Sequence, residues 1–266
     1  MRRRRWRKRI NEGELLDRKL LETQSFKNKI VGQKVILVIP SASLLLNENG
    51  EKIDNNFDTV IRVGHGYETD GLEEWVGTKT DAVYHGLKNS PKKLSPLLLE
   101  SYGIKDLCYI CNWSIQQRGQ ALERMCDRKG YPINILPRPS WKSSMKNFNE
   151  KYSENLKENF RPLYGVSTFA DLLSLNPKEL MLYGADFYQA GHQPNYDHRD
   201  RKFQFKKMKR MAHKYHNLPR NKAYTAKLVI KSGNAFIDEI TFNSLIQHKT
   251  IKENFKKELE KKVKEL

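Results

Sequence analysis

Two apolar runs, each feeding a small hydroxyl-rich segment, constrain this chain more than any other feature. The first reads Val35-Ile-Leu-Val-Ile-Pro-Ser-Ala-Ser-Leu44, then Ile53-Asp54 and Phe57-Asp-Thr-Val-Ile-Arg62. The second reads Gly165-Val-Ser-Thr-Phe-Ala-Asp-Leu-Leu-Ser-Leu175, then Glu179-Leu-Met-Leu-Tyr-Gly-Ala-Asp-Phe-Tyr188. Each joins a buried strand to a turn at a helix start. That is how an α/β sheet offers backbone N–H groups to a phosphate. Two such units facing one another suggest a nucleotide-dependent transferase.

The other apolar runs agree. Strands are predicted over 35–39, 57–63, 80–84, 106–111, 133–136 and 180–183, and a late strand over 226–230. Helices are predicted over 91–102 (apolar at Leu94, Leu97, Leu98 and Leu99), 117–129 and 166–175. Asn49-Gly50 reads as a turn. The strand runs are continuous rather than alternating, as expected of strands buried on both faces. The predicted fold is therefore α/β: a mainly parallel, Rossmann-like sheet with helices on both faces. Its strand-end turns gather on one edge, where ligands bind.

The 266 residues are 38% hydrophobic and carry a net charge of +18. Such a charge fits an anionic partner, or simply a solubilising lysine surface. Residues 1–30 read as a basic N-terminal arm, 31–235 as the domain that carries the phosphate-binding turns and 236–266 as a C-terminal helical extension. In that extension Ile251, Phe255, Leu259 and Val263 recur every fourth residue. No apolar run approaches the roughly 20 residues that span a bilayer. The basic N-terminus lacks a following apolar segment, so the expected location is the cytoplasm. Between Arg201 and Lys231 there are eleven lysines and arginines and no acid.

Several residues carry candidate chemistry beside a plainer role. Ser41 and Ser43 follow a strand, where hydroxyls bond phosphate or cap the next helix. Arg62 lies inside a strand; it pairs with Asp54 or Asp81, or meets a donor anion. Gly64 and Gly66 flank His65, which lines a pocket or sits in a solvated turn. Gly165, Ser167 and Thr168 open a helix whose free N–H groups form an anion site or need only a cap. His192, Tyr196 and His198 cluster in a loop from which a histidine can abstract a proton. Asp197 and Asp200 are a weak match to a metal-holding acidic pair. Cys108 and Cys111 have redox or zinc spacing, but they lie in an apolar strand and no second pair follows, which favours burial.

The segments 38–44, Glu51-Lys-Ile-Asp54, Phe57–Arg62 and Val76-Gly-Thr-Lys-Thr80 resemble the long donor-binding motif of the sialyltransferase-like family 29 glycosyltransferases. The stretch Gly165–Tyr188 is similar to that family's short motif. Ile39, Gly64 and the order Gly165-Val166-Ser167-Thr168 depart from the usual pattern. The resemblance implies a sialyltransferase-like fold and a nucleotide-sugar donor, CMP-sialic-acid-like. It also implies inversion at the anomeric carbon without metal or other cofactor. Ser41, Ser43, Arg62, Gly64, Gly165, Ser167 and Thr168 would form the donor pocket. His198, or His192, would be the general base. The acceptor would be a glycan or another anionic molecule, held by Lys206, Lys207, Lys209 and Arg210. Two alternatives stay open: a viral or phage glycosyltransferase acting on a modified DNA base, and a non-catalytic nucleic-acid-binding protein.

Overall fold

A computed structural model describes residues 21–87, 94–110, 113–152, 162–194, 217–247, 251 and 253–266. Seven strands form one sheet: β1 Lys34–Val38, β2 Thr59–Val63, β3 Ala82–Tyr84, β4 Asp106–Ile110, β5 Asn134–Arg138, β6 Glu179–Tyr183 and β7 Ala235–Ile237. Their order is β5-β4-β3-β2-β1-β6-β7, and every pairing is parallel. The chain builds outward from β1 to β5, then returns to place β6 on the other side of β1. That reversal opens a crevice beyond the carboxyl ends of β1 and β6.

Both faces are covered, which is why the strand sequences read as unbroken apolar runs. The helices are α1 (21–28), α2 Gly50–Asn56, α3 Glu73–Val76, α4 Pro96–Ser101, α5 Trp113–Lys129, α6 Trp141–Tyr152, α7 Tyr164–Ser174, α8 Leu218–Ser232, α9 Glu239–Ile246 and α10 Glu253–Glu260. Val35 and Leu37 of β1 join Phe26, Phe148, Phe169, Leu172, Tyr224, Leu228 and Leu259 in one cluster. Ile36 and Val38 point the other way, to Leu44, Ile53 and Val76. The outer strands β3 to β5 pack on that second side against Leu99 of α4 and Leu122 of α5. Burying one such side chain is worth about 1.5–3 kcal/mol.

The expected strand over 226–230 is helical. Asn217 accepts a bond from the Arg220 amide, Pro219 occupies the first turn, and the helix α8 continues to Ser232. A short β-branched run does not separate strand from buried helix, and here the cap decides. The helices α2 and α6 and the strand β7 were not anticipated. Asn49-Gly50 is no simple turn: Gly50 starts α2, where a Cβ would run into the Glu73 carbonyl and come within 2.8 Å of the Gly77 amide. α2 therefore lies directly on α3 because position 50 has no side chain.

Both expected boundaries fall inside packed structure. Phe26 and Ile30 are fully buried in the main cluster. Lys29 donates to Asp106 at 2.6 Å. The 235/236 boundary cuts β7. Beyond α10 the chain runs parallel beside β7, with Ile237 N–H donating to the Lys262 carbonyl and Lys264 N–H to the Ile237 carbonyl, both at 3.0 Å. Val263 thus leaves the expected helical stripe and bridges Ile237. Residues 1–20 lie outside the described residues.

Arg62 is fully buried in β2. Its guanidinium donates to the carbonyls of Val76 (2.7 Å), Gly77 (3.2 Å) and Lys79 (3.2 Å) and to Thr80 Oγ1 (2.9 Å). Burial lowers its pKa to about 10, with Asp54 acting in the opposite sense. Asp54 in turn accepts from the amides of Thr78 and Lys79. Arg62 therefore holds segment 76–80 under the sheet, away from the residues that line the cleft. A second buried charge lies deeper. Arg138 donates to both oxygens of Asp171, at 2.8 and 3.2 Å, and the Tyr84 hydroxyl donates to the same carboxylate at 2.6 Å. The Arg138 guanidinium sits 5.1 Å over the Phe26 ring. Arg138→Met should destabilise the fold by about 3–5 kcal/mol, because it strands the Asp171 charge in the core. Chemical denaturation measures this; a loss below 1 kcal/mol would count against the ion pair as the reason for burial.

Candidate functional site

The crevice at the switch point is an open cleft. Its walls come from the end of β1 (Ile39, Pro40, Ser41), from Val63, from the start of α7 (Leu163 to Val166) and from the β6 loop (Ala185 to Tyr188, Gly191, His192). Gly165 packs the first turn of α7 on β1: a Cβ there would lie 2.7 Å from Ile39 Cδ1, so a larger residue would have to turn the Ile39 side chain aside.

Ser41 is buried at the cleft wall, and its Oγ accepts the Ser43 amide at 3.1 Å. It therefore caps the 3₁₀ turn Ala42–Leu46. Its hydroxyl proton is not spent in that contact, since an accepting hydroxyl keeps its donor. Ser43 turns from the cleft and donates to Asp186 Oδ2 at 3.0 Å. Gly64 has φ 61° and donates to the Tyr84 carbonyl, one residue past Val63 of the wall. α7 begins at Tyr164, earlier than expected. The Ser167 amide is already bonded to the Leu163 carbonyl at 2.9 Å. Thr168 Oγ1 donates to the Tyr164 carbonyl at 3.0 Å, and both residues are buried off the cleft. First-turn amides have no acceptor inside their own helix. Gly165 and Val166 therefore line the cleft with amides that have no acceptor inside their own helix, whereas Ser167 and Thr168 do not line it.

His192 lines the cleft, as the sequence allowed. Its backbone bridges Ser41, its Nδ1 lies 3.2 Å from the Pro40 carbonyl, and its ring meets Tyr188 edge-on at 5.5 Å. With Nδ1–H donating to Pro40, the lone pair sits on Nε2. Tyr188 was missed as a site residue although it closes the short motif. Tyr196, Asp197, His198, Asp200, Lys206, Lys207, Lys209 and Arg210 lie outside the described residues, as does Cys111. Cys108 is a buried thiol in β4, pushed well above its usual pKa by burial. Among the described residues no three His, Cys, Asp or Glu side chains group as a metal set, and no helix is long and apolar enough to cross a membrane.

A second polar cluster sits at the ends of β2 and β3. His65 Nδ1 is 2.9 Å from Glu68 Oε1, and His65 Nε2 is 3.4 Å from His85 Nε2. The Leu87 amide donates to His85 Nδ1 at 3.1 Å. That fixes the tautomers: His85 carries its proton on Nε2 toward His65, which donates from Nδ1 to Glu68. The Tyr164 hydroxyl donates to the His85 carbonyl at 2.8 Å and ties the cluster to the start of α7. Sequence reasoning had no signal for His85, since nothing local marks it as a partner of His65.

Burial, then the neighbouring His65, lowers the His85 pKa to about 3. An unfolded histidine titrates near 6.5. Between those values the unfolded chain binds the extra proton, so this stability is complete above about pH 6.5 and is lost as pH falls toward 3. His85→Gln should reduce proton uptake on unfolding at pH 5 by about one. Denaturation across pH 4–7 reads it; an unchanged slope would mean His85 does not titrate on unfolding.

No family model matches the sequence, and no curated protein matches it. Among solved structures, the fold is similar to that of a variant of the sialyltransferase CstII in complex with CMP, with TM-score 0.50, 17% identity, and 77% of this chain and 80% of that chain covered. A sialyltransferase CstII from Campylobacter jejuni in complex with a substrate analogue, cytidine-5'-monophosphate, aligns at TM-score 0.45 and 18% identity over 77% of this chain and 80% of that one. A mammalian sialyltransferase in complex with Gal-beta-1-3GalNAc-ortho-nitrophenol aligns at 0.42 and 15%, over 79% of each. The latter two scores are too low to add weight. The all-parallel sheet, its strand order and the first of these alignments together give the chain a sialyltransferase-like fold.

Proposed function

We propose that the protein is a glycosyltransferase that moves a sugar from a nucleotide-activated, CMP-sialic-acid-like donor to an anionic acceptor such as a glycan. The observation that carries this reading is the cleft at the switch point, where one wall is the first turn of α7 and the other is Ser41. The acceptor hydroxyl gives its proton to a histidine and attacks the anomeric carbon. The bond from that carbon to the phosphate oxygen breaks, and the nucleotide monophosphate leaves with the electron pair. The amides of Gly165 and Val166 and the Ser41 hydroxyl stabilise the charge that develops on the phosphate. No metal is needed in this scheme.

Two histidines are candidates for the base. His192 lines the cleft. The resemblance names His198. The decisive experiment combines thermal shifts with cytidine, uridine and guanosine nucleotides and turnover of the matching sugar donors, with and without chelator. Cytidine monophosphate should stabilise the protein, and chelator should leave turnover unchanged. Of the variants His192→Ala and His198→Ala, one should lose about 10²- to 10⁴-fold in kcat with nucleotide binding retained. Full activity in both would remove the histidine base from the scheme. Duplex DNA binding at low salt with no nucleotide effect would replace the enzyme by a nucleic-acid-binding protein.

Lys206, Lys207, Lys209 and Arg210 are proposed to hold the acceptor. Charge reversal at Lys206 and Lys209 should raise the acceptor KM and flatten its salt dependence, with donor affinity kept within about twofold. A collapse of donor affinity instead would move these residues to the donor side.

A further inference from the structure

The β6 loop holds two consecutive non-glycine residues in the left-handed region, Phe187 at φ 53° and Tyr188 at φ 68°. Such a conformation persists only where its surroundings enforce it. What surrounds this one is the carboxylate of Asp186, 4% exposed. Its Oδ1 accepts the Tyr188 amide at 2.9 Å. Its Oδ2 accepts the Ala190 amide at 2.8 Å and the Ser43 hydroxyl at 3.0 Å. Its own carbonyl accepts the Ser244 hydroxyl at 2.9 Å. From the far side, Lys222 donates to the Ser244 carbonyl at 2.6 Å and lies 5.6 Å from the centre of the Phe187 ring.

We infer that Asp186 is a positioning residue: it sets the left-handed pair and fixes Tyr188 and His192 against the β1 turn, across the cleft from α7. The inference rests on the function proposed above and deepens it. Three features separate this from a merely buried acid. Both oxygens accept from protein donors, Oδ1 one and Oδ2 two, so the carboxylate is committed mainly to the protein although Asp186 borders the cleft. The donors come from the loop itself and from the opposite side of the switch point, so one carboxylate joins the two halves of the site. The residues held in the strained conformation are the ones that line the cleft. Charge-assisted bonds of this kind are about twice as strong as neutral ones. An amide in place of the carboxylate would turn an N–H₂ group toward at least one of the three donors.

The test compares Asp186→Asn, Ser43→Ala and Ser43→Thr with the full chain. Asp186→Asn should lower kcat on the order of 100-fold, the effect of misplacing a reacting group by about an ångström. The melting shift produced by cytidine monophosphate should stay near that of the wild type. Ser43→Ala removes one of the three donors and should cost about tenfold in kcat, roughly one hydrogen bond to a charged group. Ser43→Thr keeps the hydroxyl and should recover most of that loss. A purely structural Asp186 would lower the melting temperature and scale all kinetic parameters with the folded fraction, with no split between kcat and nucleotide binding. If Asp186→Asn does not fold, the Ser43 pair decides alone: equal kcat in Ser43→Ala and Ser43→Thr overturns the inference. Wild-type turnover with both Asp186→Asn and Ser43→Ala within twofold overturns this role but not the function. A wild-type chain that turns over no nucleotide-activated sugar overturns both.

Discussion

The reversal of strand order at β1 is the constraint on which the rest of the molecule depends. β1 pairs with β2 through Val35–Val38 and with β6 over its whole length. It is therefore covered on both edges and both faces, and its buried residues Val35–Val38 are all apolar. All of its polar chemistry is displaced to the residues just past its carboxyl end, at Ser41 and Ser43. The same holds for β6, whose apolar run gives way at once to Gly184, Asp186 and Tyr188. Two neighbouring strands whose connections leave in opposite directions cannot fill the space beyond their ends. The cleft is the geometric remainder of the topology, and α7 reaches it because Gly165 lets its first turn close on Ile39.

This explains what the sequence revealed and what it hid. Fold class was legible because two-sided burial writes itself into composition, as in Val35–Val38 and Leu180–Tyr183. The helix over 218–232 was not, because its buried residues Tyr224, Ala226, Leu228 and Val229 include a short run that also suits a strand. α6 escaped notice because only Ser144 and Phe148 are fully buried in an otherwise polar stretch. Gly50 looked like a turn residue; its true reason is contact with α3, which no local pattern encodes. Of the candidate site, the segments were found and the atoms were not. Gly165 was named, but the groups left exposed by its turn are backbone amides, and the hydroxyls of Ser167 and Thr168 look elsewhere.

Buried charge was the harder problem. Arg62 and Arg138 are of the type expected of an anion site, and neither they nor Asp171 line the cleft. Each is solvated by the protein instead: Arg62 by three carbonyls and a hydroxyl, Asp171 by Arg138 and Tyr84. A buried ion survives only where such partners replace water. Those partners lie far away in sequence, Val76 to Thr80 for Arg62 and Tyr84 for Asp171. A strand arginine read alone is therefore undecidable between ligand and scaffold, and only the three-dimensional count of its donors resolves it.

The same accounting gives the cleft its character. Its charged neighbour Asp186 is engaged by three donors, and Arg62 is turned away, so the polar part of the described wall is first-turn amides, the Ser41 hydroxyl, His192, Tyr164 and Tyr188. Dipoles of this kind need no counter-ion and no reorganisation when charge develops in front of them. The longest acid-free run of the chain begins beyond the β6 loop at Arg201. On the function proposed above, the dipoles of the cleft would stabilise charge at the reacting phosphate, and the basic run would be left to counter the charge of an anionic acceptor.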